Sequence, residues 1–269
     1  STSRGLGDVY KRQYMFTSTQ ALVLREVRYK EADRILTLLT STEGKISVRA
    51  RGALRRGSRT AAATQQLTYS EMTLFGNRGR WTVNEAVVKE AFTGLRSSME
   101  DFALGCYFAE CLESMSVEDQ PDRPLLQLGL NSLYALSRQL YPQEHIKAAF
   151  ELRLMCISGY APELQLCPAC GCADIEEPVL DISRGSVFCR SCSQGGAELV
   201  RLCPDSLAAM RYIASAPAKQ LFSFRLPDEA LKRLSRGAER YMLLHAERQF
   251  PTLSYWKNIR ISTDKGKET

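Results

Sequence analysis

The chain has 269 residues, of which 44% are apolar, 25% charged and 9% aromatic, with a formal net charge of +6. That composition suits one folded unit of two or three small domains and excludes a disordered or collagen-like polymer. No run approaches the roughly 18 apolar residues that a spanning helix needs, and no signal-peptide layout opens the chain, so a cytoplasmic protein without a membrane partner is expected.

Residues 1–14 are polar, show no apolar period and precede Met15; they read as a non-native leader, the alternative being a flexible arm that touches nucleic acid. From Met15 the charge is uneven. Residues 15–98 hold 14 Lys/Arg against 7 Asp/Glu, and residues 99–269 hold 19 against 22, a polarity that favours one basic face for a polyanion. Segments 21–27, 35–40, 46–50, 67–75 and 81–88 are rich in β-branched and aromatic residues with glycine turns between them. Five short strands in about 75 residues bury their apolar face best by closing into a barrel, and an OB-fold over 15–96 is the leading candidate.

A dense basic run begins at Lys45. Lys45, Ser47, Arg49 and Arg51 alternate with Ile46, Val48 and Ala50, so one strand face is a basic stripe. Arg55, Arg56 and Arg59 continue it onto a loop whose composition implies enough flexibility to follow a phosphate backbone. Such a surface grips polynucleotide through counterion release, indifferent to sequence and steep in salt. Tyr29, Tyr69, Phe75 and Trp81 lie on neighbouring segments, where each either stacks with a base or, more simply, fills the barrel core.

Helical patterns follow at 102–115, 125–140, 146–157, 207–213 and 229–249, interrupted by a loop-rich insert at 164–202. In that insert Cys167-x2-Cys170 and Cys189-x2-Cys192 are two knuckles whose four thiolates suit one tetrahedral zinc ion. Four thiolates leave no open position, so the site is expected to be structural. A redox dithiol is disfavoured because no βαβ pattern surrounds either pair. The insert has few large apolar residues, so metal binding is expected to supply its folding energy, and Cys167→Ser is expected to unfold it. Cys172 and Cys203 complete no knuckle, and Cys106, Cys111 and Cys156 read as core residues. Lys232, Arg233, Arg236 and Arg240 form a second basic stripe, as easily solvated as binding. No phosphate loop, nucleophile elbow or zincin motif occurs, and His145 and His245 read as surface or boundary residues, so an enzyme is not expected.

Thr19-Gln-Ala-Leu-Val-Leu-Arg25, Tyr29-Lys-Glu-Ala-Asp33-Arg-Ile-Leu36 and Gly44-Lys-Ile-Ser-Val-Arg-Ala-Arg-Gly52, followed by Arg55, Arg56 and Arg59, resemble the first strands and basic loop of the bacterial recombination mediator RecO family. The four-cysteine insert inside a helical region is also similar to many of its members, and the resemblance spans about residues 15–250. It implies an α+β chain: an OB-fold, a helical domain over 97–163 and 203–250, an embedded zinc ribbon at 164–202 with one structural Zn(2+), and a tail from 251. It also implies binding of single- and double-stranded DNA, strand annealing, and work with RecR to replace single-strand-binding protein with RecA. DNA contact carries over onto Lys45, Arg49, Arg51, Arg55, Arg56 and Arg59, and further onto Lys30, Arg34, Arg78 and Arg80. The ending from Ser254 departs from the family's better-known members and leaves the docking site for the single-strand-binding protein tail unassigned. An RNA-binding barrel with a zinc ribbon is the runner-up, since no residue here is marked to read a 2′-hydroxyl; a metal-dependent nuclease is a third class.

Overall fold

The computed structural model describes residues 15–77, 79–196 and 198–267. Strands β1 (Met15–Tyr29), β2 (Asp33–Thr40), β3 (Lys45–Ala50), β4 (Tyr69–Asn77) and β5 (Arg80–Glu90) close into a barrel in the order β1-β2-β3-β5-β4. Every pairing is antiparallel except β3 with β5, where Val48 faces Trp81 and Arg49 faces Thr82. This is the expected OB-like barrel. β1 is longer than its sequence pattern because it serves two neighbours: its first half pairs with β4 and its second with β2, with a bulge between Val23 and Arg25 where the strand turns. β4 starts at Tyr69 and not at Leu67, because Leu67 takes a left-handed φ of 62° that drives its side chain into the helical core.

The run Ala21-Leu22-Val23-Leu24 is apolar on both faces for a reason. Ala21 and Val23 join Leu36, Leu38, Ile46, Val48, Met72 and Leu74 inside the barrel, while Leu22 and Leu24 point outward into the core of the helical unit. A strand buried on both faces loses the alternation of a half-exposed one. The barrel is thereby fixed against helices α1 (Met99–Met115) and α2 (Arg123–Ser137). Ser98 and Asp122 cap these helices, accepting from the N–H groups of Asp101 and Leu125. Gly44, at the β2–β3 turn, has φ +71°, and a Cβ there would stand 2.3 Å from the Gln120 carbonyl oxygen. Only glycine permits the turn to press so closely on the α1–α2 connection.

Helices α3 (Gln143–Ile157), α4 (Pro204–Ser215) and α5 (Asp228–His245) match the expected patterns. Residues 251 onward, expected as a tail, contain a further helix, α6 (Pro251–Lys267), entered by a proline and docked through the buried Phe250, Leu253 and Trp256. At the centre of the helical unit Lys147 is 1% exposed, and its Nζ lies 2.8 Å from Glu151 and 2.8 Å from Glu239. Tyr107 donates to Glu151 at 2.6 Å, and Lys257 of α6 also pairs with Glu239. Burial works against the Lys147 ammonium, but its two carboxylates outweigh burial and hold it charged.

The insert departs from expectation. Strands β6 (Pro178–Asp181), β7 (Ser186–Cys189) and β8 (Leu199–Arg201) form a sheet in the order β7-β6-β8. Its Leu180, Ile182, Val187, Phe188, Val200 and Leu202 are buried in the same core as the helices. Apolar burial therefore holds the sheet, and the expectation that metal supplies the insert's folding energy does not extend to it. His145 departs from its surface-or-boundary reading, whereas His245, half-buried, keeps the boundary place. His145 is buried between the stacked rings of Tyr141 and Phe224 and bonded to the Phe222 carbonyl, and the His245 ring contacts the Ile182 carbonyl at 2.9 Å. Periodicity places both near helix boundaries, but it does not reveal that the insert and the segment before α5 fold over them.

Candidate nucleic-acid interface and metal centre

β3 shows the expected alternation, with Ile46, Val48 and Ala50 buried and Ser47 exposed. Its cations, however, are not equally available. Arg49 pairs with Asp33, Nη2 to Oδ2 at 2.6 Å, and the other Asp33 oxygen accepts the Gly52 N–H at 2.7 Å. The Gly52 N–H first, and then Arg49, hold the Asp33 carboxyl below the usual range. Arg49 thus braces the root of the basic loop. Arg34 departs further from a phosphate-contacting role: its side chain is 12% exposed, donates to the Ala61 carbonyl and Thr64 Oγ1 at 2.9 Å each, and lies 3.5 Å from Glu26. Lys45 donates to the Glu113 carbonyl at 3.0 Å and ties the barrel to α1. Alternation makes phosphate contacts of Lys45 and Arg49, and the family resemblance adds Arg34; neither reports which neighbours a side chain meets.

The loop after β3 is not the pliant arm that its composition suggests. Ala53, Ala63, Thr64 and Leu67 are buried, Leu54 N–H bonds to the Ala32 carbonyl, and successive turns link Arg55 to Gly52, Ser58 to Arg55 and Thr64 to Thr60. On this pinned scaffold Arg51, Arg55, Arg56 and Arg59 are all exposed, and among the described residues none has an acidic partner. Lys30, with φ 54°, and Arg80, at the β4–β5 hairpin, are also exposed; Arg78 lies outside the described residues, as do residues 1–14, expected as a leader.

Tyr29 is 41% exposed and takes Lys30 and Arg49 over its ring at 5.5 and 5.2 Å. Phe75 is half-buried against Phe16, ring centroids 5.1 Å apart, and Phe16 is 63% exposed. Trp81 covers Gly76 and packs on the barrel core, and Tyr69 bonds to Gln20. Sequence reasoning missed Phe16. It stands two residues ahead of Ser18 and four ahead of Gln20, on the outward register of β1, and extending the strand pattern back to Met15 would have exposed it.

The four cysteine sulfurs of the insert come together, all within 4.8 Å of one another, so that Cys167, Cys170, Cys189 and Cys192 can hold a metal ion. In the first knuckle Gly171, at φ +72°, donates to the Cys167 carbonyl; in the second, Cys192 and Ser193 both donate to the Cys189 carbonyl. Burial raises the Cys167 thiol, but N–H donors from Cys189, Cys170 and Ala169 outweigh it and bring it down to about 6, which favours the ligating thiolate. Cys172 and Cys203 stand outside this cluster, with sulfurs against the Asp174 carbonyl and the Ser206 hydroxyl. Burial pushes the Cys106 thiol up to about 11, in keeping with a core residue. Among the described residues no helix is long and apolar enough to cross a membrane.

Comparison with known proteins agrees with this architecture segment by segment. Residues 15–92 match the family model described as recombination protein O N terminal, and residues 96–254 match recombination protein O C terminal. The DNA repair protein RecO of Acetivibrio thermocellus is 32% identical over 244 residues, covering 91% of this chain and 97% of that protein. The DNA repair protein RecO of Heliobacterium modesticaldum is 34% identical over 221 residues, 80% of each chain, and that of Symbiobacterium thermophilum is 29% identical over 90% of this chain and 97% of its own. The two family models divide where the barrel gives way to the helices, and with relatives aligned across both parts, the chain belongs to the recombination protein O family.

Proposed function

We propose that this chain, a member of a family of DNA repair and recombination proteins, binds single- and double-stranded DNA through the barrel loop, anneals complementary strands, and works with RecR to load RecA where single-strand-binding protein covers the DNA. The observation that carries this reading is the set Arg51, Arg55, Arg56 and Arg59, exposed on a loop whose backbone is held by buried alanines and by the Asp33–Gly52 bond. Guanidinium groups presented this way replace the counterions of a phosphate backbone, so a strand held on the barrel repels an incoming complement less. A scaffold already ordered loses little freedom on binding. Tyr29, beside Lys30 and Arg49, and the Phe16–Phe75 pair offer ring faces to unpaired bases. Within this reading Arg34, Arg49 and Lys45 act as positioning residues, and Lys30 and Arg80 extend the contact surface.

The metal in this reading is zinc, in a structural role. Zinc–sulfur bonds of about 2.3 Å in a tetrahedron place sulfurs about 3.8 Å apart, and Cys170 and Cys189 stand at 3.7 Å. Bound zinc would fix the knuckles on the β6–β7–β8 sheet; this chain's contribution is four thiolates and, at Cys167, the N–H groups that favour the charged form.

The test is reversal of Arg51, Arg55 and Arg56 to Glu. The expected result is loss of DNA binding and annealing with one metal ion retained per chain, read by fluorescence anisotropy, strand annealing and metal analysis. Annealing at the unmodified rate by that triple variant would sink the proposal. Competition between RNA and single-stranded DNA of one sequence gives DNA the advantage if the family role holds.

A further inference from the structure

The helical part of the molecule carries net negative charge, yet one groove in it reverses that sign. Residues 99–269 hold 19 Lys/Arg against 22 Asp/Glu, but the groove between β8 and α5 is walled by Arg201, Lys232, Arg233 and Arg236 against a single acid, Glu229. Glu229 is taken by Lys232 at 2.7 Å. Arg233 is fixed at the groove wall by donating Nη1 to the Leu202 carbonyl at 3.1 Å. Arg201 and Arg236 are exposed or half-exposed, and among the described residues neither has an acidic partner. Arg240, one turn further along α5, is paired with Glu198 and closes the row.

Two features make this more than a solvated helix face. First, the cations come from two elements. Arg201 stands on the edge strand β8, the others on α5, and Val200 and Leu202 bury themselves on either side of Arg201 so that its position is set by the core. Second, the groove presents little apolar surface: Val200 is 3% exposed, and the remaining lining is charged except for Leu199. An acidic peptide needs an apolar anchor to bind with useful affinity, because exposed ion pairs contribute little singly. A polynucleotide backbone needs only a row of forked donors, which arginines supply.

We propose that the β8–α5 groove is a second polynucleotide-phosphate site, distinct from the barrel loop, which holds the complementary strand during annealing. The proposal rests on the barrel reading for the first strand. A single surface must hold both strands against their mutual repulsion; two separated surfaces let each strand be neutralised before they meet.

The experiment uses the full chain and Arg201→Glu/Arg236→Glu, with a fluorescein-labelled single-stranded oligonucleotide and its complement. Neither residue is buried, so an unchanged thermal transition is expected and checks folding. The expected result is first-oligonucleotide affinity within about twofold of the unmodified chain, loss of the second equivalent, and annealing slowed by about tenfold, with Arg201→Lys/Arg236→Lys recovering most of it. Two oligonucleotides bound and unmodified annealing in the Glu variant would overturn the proposal. So would a hexaglutamate peptide that binds the unmodified chain more tightly than the oligonucleotide and loses that binding in the Glu variant. Failure of the barrel reading looks different: the Arg51/Arg55/Arg56 reversal would then leave the first equivalent intact.

Discussion

Arg51, Arg55, Arg56 and Arg59 stand in solvent around the barrel with no acid among the described residues to meet them, whereas Lys147 of the helical unit is 1% exposed and shared between Glu151 and Glu239. Both regions are rich in charge. In the helical unit the charge is internal: Lys147, Glu151, Glu239 and Lys257 neutralise one another and join α3, α5 and α6, and Tyr107 on α1 donates to the Glu151 carboxylate as well. In the barrel it is mostly external. What attracts a polyanion is therefore not the charge count of a segment but the remainder after internal pairing, and Arg34 and Arg49 show that even the basic segment uses part of its charge at home.

The contrast can be broken most forcefully in the helical unit. Lys147→Met leaves the fully buried Glu151 without its cation, and should destabilise the chain by about 3–5 kcal/mol, read as a lower midpoint in urea unfolding. If the pair were only a surface contact, the cost would be under about 1 kcal/mol. The double variant Lys147→Met/Glu151→Gln should recover part of the stability, because the unpaired charge is gone.

Gly44→Ala probes the joint between the two regions. A left-handed φ and an approach of 2.3 Å to the Gln120 carbonyl should together cost about 1–3 kcal/mol. A thermal shift measures it, and an unchanged transition would mean that the barrel and helices are not pressed together there.

Arg55→Ala/Arg56→Ala sharpens the distinction between free and paired cations. Removing one phosphate-binding arginine should lower the slope of log affinity against log salt by about 1, so the double variant should lower it by about 2. Arg34→Ala should change the slope far less while loosening the loop, since its guanidinium faces Ala61 and Thr64.

The smallest effect is a pH dependence. Asp33 is held below the ordinary carboxylate range, so its contribution is present above the unfolded-state value and is lost as pH falls through the lower folded value. Hydrogen exchange at the Gly52 amide should therefore accelerate only below the usual carboxylate range, and Asp33→Asn should abolish that dependence. Removal of metal by a chelator should, by contrast, free the knuckles while Leu180, Val187 and Val200 keep their sheet in the core.

Much of this is readable from residue order. The barrel strands carry their β-branched pattern locally, and the basic stripe alternates with Ile46, Val48 and Ala50. The metal centre is legible because two C-x2-C knuckles make ligand geometry a matter of two short turns, each closed by bonds within a few residues. Helix α6 is less visible: its anchors Phe250, Leu253 and Trp256 are spaced for a helix, but what they cover belongs to distant α1 and α3. The same holds for Lys147 and Glu151: their i, i+4 spacing stands in the sequence, but Glu239, 88 positions beyond Glu151 in the numbering, meets them only in the folded chain.

The residue order by itself thus determined the barrel strands, helices α1 to α5, the two cysteine knuckles and the excess of cations in the first third of the chain, because each depends on chemistry repeated over a few neighbours. Only the tertiary structure decided which arginines remain available, that the insert's sheet belongs to the helical core, and that a basic groove lies between β8 and α5. Pairing and burial are contests among all groups that reach one place, and groups far apart in sequence meet only when the chain has closed on itself.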